Sequence, residues 1–478
     1  MNDTFFFSAP QLKRDPLGSL HTRMEFPIRT TRIAQLAKLA FACLVCECLW
    51  PAYAAGSIQR QPASTDSTIK VAIDRPVDIN ASRLAIVEPH LAADRRDPNH
   101  LLAGVILVSK MGDPRDPEFK SESICAALTS SDGGRTWIRH DFPARGCGDP
   151  WVALFANNRA MLVGLAGSEL VAYRSTDGGK TWNDTPVSFG RGHDHGTIGS
   201  DTTTGIFGGN VYVVSHQTTK DSAGKYRDGV FVARSSNGGE TFDPPTRISP
   251  SNLPTFADNP VILSDGALVV PFVNYIRQSA TDRSDLVWTS MSTNGGRTFS
   301  VPRYVSDCAG YWGQLAVDGS AGPFRDHLYW ACSDYSNRHV FVFRSTDRGE
   351  TWSDAVTVNR GSRPVQTAMI AVNREGVVGL SWYDSREDPR GYRNTFRCQN
   401  LFFTASLDGG RTFLPEVKIS STENCPITPA NGEAGWRWPT GGEYHGLAAD
   451  AAGRFQLLWA DSRDGIYQLR TATATVTR

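Results

Sequence analysis

Apolar positions in this chain alternate in short runs, and the runs come in pairs separated by a turn. "EPHLAAD" is followed by "LLAGVILVS", and the arrangement returns as "DPWVALF" with "AMLVGL", "HGTIGSD" with "NVYVVSH", "NPVILSD" with "ALVVPFV", "WGQLAVD" with "HLYWACS", "TAMIAVN" with "VVGLSWYD", and "YHGLAAD" with "FQLLWAD". Alternation over four to eight residues bounded by turn residues is the pattern of half-buried strands. A third run follows each pair. In six units it ends in a near-identical phrase, as in "LTSSDGGRTW", "YRSTDGGKTW", "ARSSNGGETF", "TSMSTNGGRTF", "FRSTDRGETW" and "TASLDGGRTF".

Each unit therefore predicts strand, turn, strand, loop, strand, box, strand. Four antiparallel strands per repeat is the signature of a propeller blade, so the fold class is all-β, a β-propeller of seven blades; a six-blade ring would require one irregular unit. The seventh unit ends at "IYQLRTATATVTR", one strand short, while "STIKVAIDRPVDI" near the other end of the chain is a strand-like run without a unit. Pairing the two closes the last blade and the ring, leaving no open sheet edge at the seam.

The box residues are Asp132, Asp177, Asn237, Asn294, Asp347 and Asp408. An Asx side chain accepts hydrogen bonds from nearby backbone N–H groups, and the glycines supply positive φ. Because Asn substitutes for Asp twice, the position needs an oxygen acceptor and not a negative charge. The boxes are thus structural.

Lysine plus arginine and aspartate plus glutamate both number 49, so no overall basic field exists to attract nucleic acid. "RTTRIAQLAKLAFACLVCECLWPAYAAGS" places Arg29, Arg32 and Lys38 before an apolar run that ends at Ala52-Tyr53-Ala54, the pattern of a secretory signal. Its run is too short, and interrupted by Glu47, for a membrane span. The expectation is removal of residues 1–55, a single propeller over 56–478, and a secreted or periplasmic protein. The remaining cysteines, Cys125, Cys147, Cys308, Cys332, Cys398 and Cys425, are even in number, as suits an oxidising compartment. Nearest-neighbour pairing, 125 with 147, 308 with 332 and 398 with 425, would pin long loops to adjacent links.

The boxes are turns between third and fourth strands and occupy one face. The other face gathers the loops between second and third strands and the links between blades, and it carries the unusual polar residues. These include Arg145 and Asp149 in "ARGCGDP", Arg191, His193, Asp194 and His195 in "FGRGHDHG", and Glu433, Arg437, Glu443, Tyr444 and His445 in "NGEAGWRWPTGGEYHG". The twin strings "WYDSR" and "WADSR" put Arg386 two residues after Asp384 and Arg463 two after Asp461, either to brace a loop by an ion pair or to grip a substrate. His193-x-His195 lacks a third ligand at fixed spacing, so no catalytic metal and no cofactor are expected.

The six boxes and seven units resemble the Asp-box (BNR) repeats of the sialidase superfamily over nearly the whole of residues 56–478. That resemblance implies a site with three arginines holding a substrate carboxylate, an Asp acid/base and a Tyr nucleophile assisted by a Glu. Carried onto this sequence, Tyr444 and Glu443 are the nucleophile and its helper, Asp194 or Asp149 the proton donor, and Arg145, Arg191, Arg386 and Arg463 the substrate-binding candidates. The family's Phe/Tyr-Arg-Ile-Pro string is missing, with Arg83 in "ASRLAIVEP" its nearest substitute, and seven units exceed that family's six blades. Three functions stay open: a sialidase-like exo-glycosidase acting on sialic-acid glycoconjugates, a glycosidase of different specificity, and a non-catalytic propeller binding glycan or protein.

Overall fold

The structure, a computed structural model, describes residues 67–478 apart from residues 73, 80–83, 111–121, 221–223, 225, 251–254, 278–282, 309–312, 334–337, 362, 389–397 and 428–431. The expected signal segment, Arg83, and the part of the loop after Asp388 that carries Arg390, Arg393 and Arg397 lie outside the described residues.

Seven antiparallel sheets, each built on four strands, form the ring, one per predicted unit. The inner strands include Ala85–Ala93, Cys147–Leu154, His193–Ser200, Gln314–Val317, Val365–Val372 and Gly446–Ala449. Blade 4 splits its inner edge into Thr255–Ala257 and Val261–Ile262. In blade 7 the fourth strand comes from the other end of the chain: Thr68–Val71 pairs with Gln468–Thr477, Thr68 opposite Thr477 and Val71 opposite Ala474. The ring closes as expected.

The core lies between blades. Trp330 and Cys332 of blade 5 pack with Val269 and Val287 of blade 4, and Trp382 of blade 6 with Val340 and Val342 of blade 5. Burying aromatic and β-branched side chains between neighbouring sheets at about 25 cal/mol per Å² of apolar surface is the main force holding the blades to one another.

The boxes are local hydrogen-bond cages. In blade 2, Ser175 Oγ donates to Asp177 Oδ1 at 2.8 Å, the backbone N–H of Thr181 donates to the same oxygen at 2.9 Å, and Thr181 Oγ1 donates to Oδ2 at 2.6 Å. Where Asn replaces Asp, the last bond reverses, and Asn237 Nδ2 donates to Thr241 Oγ1 at 2.9 Å. Gly179, at φ +87°, brings the box so close to blade 1 that a Cβ there would stand 2.9 Å from Leu102 Cδ1. Only glycine fits both demands.

Three disulfides join Cys125 to Cys147, Cys308 to Cys332 and Cys398 to Cys425, the nearest-neighbour pairing. No helix among the described residues is long and apolar enough to cross a membrane.

Candidate active site

At the face opposite the boxes, several inner strands start with a bulge. Pairing with the second strand slips between Val87 and His90, between Gly148 and Trp151, between Asp194 and Thr197, and between Gln366 and Met369. The bulged residues Glu88, Asp149, His195 and Thr367 have φ of 52°, 51°, 50° and 59°. Positive φ is uncommon outside glycine and a marked outlier for β-branched Thr. Bulges re-aim side chains, and four at one level of the ring turn these residues away from ordinary strand alternation.

The result is an acidic cluster drawn from blades 1, 2, 3 and 7. The carboxyls of Asp149 and Asp194 converge on one backbone N–H. The backbone N–H of His195 donates to Asp194 Oδ1 at 3.0 Å and to Asp149 Oδ2 at 3.3 Å, and that of Asp149 donates to Glu88 Oε2 at 3.3 Å. Side-chain donor atoms of Asp149, His195 and Glu443 lie within 4.8 Å of one another. A short helix, Gly432–Arg437, precedes Trp438, whose indole N–H donates to Glu88 Oε1 at 2.6 Å. Gly442 packs its backbone on blade 1, where a Cβ would fall 2.7 Å from Glu88 Cα.

Burial, then the charges of Asp194, Glu88 and Glu443, push the Asp149 carboxyl well above the usual carboxylate range. Glu443 is raised strongly for the same reasons, burial first and then Glu88 and Asp194. Burial also raises Glu88, against the opposing pull of Arg437 and the Trp438 hydrogen bond. Crowded carboxyls oppose one another's ionisation, so Asp149 and Glu443 hold a proton to higher pH than isolated carboxyls do. His195 is driven down to about 4 by burial and His90 to about 3, so both imidazoles are neutral.

Tyr444 is 2 % exposed and stands among these groups. Its hydroxyl donates to the Pro150 carbonyl at 3.2 Å, and its ring meets Trp151 edge-on with centroids 5.5 Å apart. Burial and the charges of Glu88, Asp149 and Glu443 drive its pKa well up. Adjacent residues of an extended link point apart, so Glu443 turns to Asp149 and His195 while Tyr444 reaches Pro150.

Asp149, Asp194, Glu443 and Tyr444, chosen from sequence, thus come together. The four candidate arginines do not join them. Arg145 and Arg191 end the outer strands Ile138–Arg145 and Asn183–Arg191 and are exposed, Arg191 lying 3.7 Å from Glu169. Arg386 is bound by Asp384 at 2.5 Å and by Glu416, with its guanidinium 4.3 Å above the Phe402 ring. Arg463 is held by Asp461 at 2.7 Å and Asp74 at 3.0 Å. Their charges are consumed by loop bracing, the ion-pair alternative of the twin strings. The Trp of each string takes part as well, Trp382 Nε1 donating to Asp384 at 3.3 Å and Trp459 Nε1 to Asp461 at 3.1 Å. His193 bonds Ser215 at 2.9 Å, and its neighbour His195 is the one brought to the carboxyls. Asp149, His195 and Glu443 are donors of the kind that hold a divalent cation.

Family models match in two places, a BNR repeat-like domain over residues 210–423 and a BNR/Asp-box repeat over residues 173–184. The second of these spans the caged Asp177. Residues 173–184 and 210–423 therefore carry BNR repeats, set on a seven-bladed β-propeller. No curated protein sequence matches it. Among solved structures, a protein of unknown function from Dyadobacter fermentans DSM 18053 aligns with a TM-score of 0.48 at 12% identity, covering 86% of this chain and 99% of that one. A Hadza microbial sialidase gives 0.45 at 12% identity over 85% and 96%. The NanB sialidase from Streptococcus pneumoniae gives 0.42 at 9% identity over 86% and 99%.

In this BNR propeller, sequence reasoning missed Glu88, Thr367 and Trp438. A signal for the first two was present. Glu88, Asp149, His195, Thr367 and Tyr444 are the opening letters of "EPHLAAD", "DPWVALF", "HGTIGSD", "TAMIAVN" and "YHGLAAD", so the unit phrase begins on the residue that carries chemistry. Trp438 left no such signal.

Proposed function

We propose that the acidic mouth hydrolyses glycosidic bonds of a neutral or amino-sugar glycan. The observation that carries this is the convergence of the Asp149 and Asp194 carboxyls on the His195 N–H, with Glu443 within 4.8 Å of Asp149. Glycoside hydrolysis needs one carboxyl that holds its proton and a second that is charged, and environment sets the difference. Asp149, raised by burial and by its neighbours, protonates the departing glycosidic oxygen as the bond to the anomeric carbon breaks. Glu443, left as the carboxylate when the proton for which the two crowded carboxyls compete is on Asp149, attacks that carbon and forms a glycosyl ester. Water then displaces Glu443, giving its proton to Asp149. Carboxyl oxygens within 4.8 Å fit the short spacing of the retaining route better than the longer spacing that admits a water.

The charge around the site argues against an anionic sugar. Arg437 acts on Glu88 and Glu443, and Asp149 and Asp194 stand beside them, so carboxyls outnumber cations among the described residues of this cluster. A sialidase-type reading rests on a different observation, the burial of Tyr444 among Glu88, Asp149 and Glu443; in it Tyr444 is the nucleophile and the substrate a sialoside.

One assay separates the readings. Residues 56–478 are offered a panel of aryl glycosides, including hexosides, N-acetylhexosaminides and an α-sialoside, beside Asp149→Asn and Tyr444→Phe variants. The expected result is turnover of an uncharged glycoside, reduced at least 100-fold in Asp149→Asn and by less in Tyr444→Phe, in line with removal of a general acid. Turnover of the sialoside alone, abolished in Tyr444→Phe, favours the second reading. No turnover of any glycoside leaves the ring a binding module.

A further inference from the structure

The opposite mouth of the ring holds a depression lined by arginines. There the turns between first and second strands of blades 3, 4 and 5 line a depression of about 440 Å³. Arg95 enters it from the corresponding turn of blade 1, across the ring. One Nη of Arg95 lies 3.2 Å from the point a Cβ on Gly319 would occupy, so the bare backbone of blade 5 leaves room for the guanidinium. Arg325 lines the same depression and no carboxylate does.

Neither guanidinium has a hydrogen-bond or ion-pair partner among the described residues. Several arginines elsewhere in the ring are tied down, as with Arg386, Arg463 and Arg348, the last held by Asp265 at 2.6 Å. Five carboxylates stand next to lining residues in sequence, and each accepts a backbone hydrogen bond: Asp94 from Arg96, Asp201 from Thr203, Asp265 from Ala267, Asp318 from Ser320 and Asp326 from Ser264. Water reaches Arg95 through the depression, yet protein surrounds its charge closely enough that burial lowers its pKa, with no carboxylate to offset the loss. The hydroxyls of Ser200, Thr202 and Thr204 line the walls and make no hydrogen bond within the described residues.

We propose that this depression binds an oxyanion, the carboxylate or sulfate group of an acidic saccharide. Two unpaired guanidinium forks match a planar carboxylate or a sulfate face. Uncommitted hydroxyls suit the sugar's own, and the volume lies within the range of small-ligand sites. The site is separate from the acidic mouth: Glu88 and Arg95 are joined by the inner strand of blade 1, and seven residues at about 3.3 Å each put them roughly 20 Å apart. It does not depend on the glycosidase reading.

The test is calorimetric titration of residues 56–478 with sodium sulfate, glucuronic acid, glucose 6-sulfate and glucose. Binding of both acidic sugars but not glucose is expected, weakened at least about tenfold by Arg95→Gln and by Arg325→Gln, as for a lost charged hydrogen bond. Arg95→Lys, which keeps charge but loses the fork, should fall between. Arg135→Gln, an exposed arginine on the same face, should bind as the parent does, and melting temperatures check that each variant is folded. Sulfate binding without either acidic sugar would reduce the site to an inorganic-ion site and overturn the saccharide assignment. Equal binding of glucose, full binding by the Arg95→Gln/Arg325→Gln double variant, or no binding at tens of millimolar would overturn the site altogether.

Discussion

Asp258 shows how much burial alone does to a carboxyl in this ring. It occupies the link position in blade 4 that Asp194 occupies in blade 3, and burial pushes its pKa up to about 8, only partly opposed by the Asn259 N–H that donates to it at 2.7 Å. The unfolded value is about 3.9. Between these values the folded state holds a proton that the unfolded state has released, so stability falls as pH rises from about 4 to about 8 and then levels. Asp258→Asn keeps the accepting oxygen and removes the charge. Its melting temperature relative to the parent is expected to climb across that window and stay high above it, as measured by thermal melts at pH 5, 7 and 9. A constant difference at all three would contradict the shift.

Residue identity also decided what could be read in advance. Asp149, Asp194, Glu443 and Tyr444 stood out as polar residues in links, where strands rarely need them. Glu88 did not, because it sits inside a strand-like phrase and ordinary alternation gives it no distinction; its +52° φ is a property of the folded bulge. The arginines misled for a related reason. Arg386 and Arg463 read equally as braces or as ligands until Glu416 and Asp74, distant in sequence, supplied their partners.

Among the elements, the boxes show which chemistry the repeat selects. Asp177 accepts from a hydroxyl, a backbone N–H and a second hydroxyl, all within six residues of chain. Asp177→Ala leaves these donors without that acceptor and is expected to cost about 1–3 kcal/mol in denaturant unfolding. Asn237→Asp should change stability by less than about 0.5 kcal/mol, since the carboxylate can accept from Thr241 just as Asp177 does from Thr181. A large loss in the second variant would mean that the reversed bond is specifically required. The boxes were legible because each is a local structure, complete within ten residues. The inner-strand bulges were not, since a register slip depends on the partner strand.

For the whole molecule, closure is the decisive event, and it is latched. Asp74, just past the Thr68–Val71 strand, accepts from Ser421 Oγ at 2.6 Å in blade 6 and meets Arg463 at 3.0 Å and Arg470 at 3.2 Å in blade 7. Against the effect of burial, the Ser421 hydrogen bonds and the two arginines hold its pKa down. A depressed carboxyl contributes stability above its unfolded pKa and loses it as pH falls through the folded value. Asp74→Asn is therefore expected to lower the melting temperature at pH 7 and to approach the parent as pH falls below the unfolded carboxylate value of about 3.9. Seven units and the shared last blade were legible because repeats count themselves and an incomplete unit advertises its missing strand. The carboxyls of one mouth and the arginines of the other come together only when residues from separate blades meet at the axis.

In the proposed hydrolysis Asp149 holds its proton because burial, and then the neighbouring Asp194, disfavour its charge, and the pH dependence of kcat/KM measures that directly. With the aryl glycoside the enzyme turns over best, activity should persist to neutral pH and fall as the cluster loses its proton. Removing the Asp194 charge lowers the pKa of Asp149, so Asp194→Asn should move the alkaline limb to lower pH. An alkaline limb that stays in place in Asp194→Asn, or an Asp149→Asn enzyme as active as the parent, would contradict the carboxyl pair as the seat of catalysis.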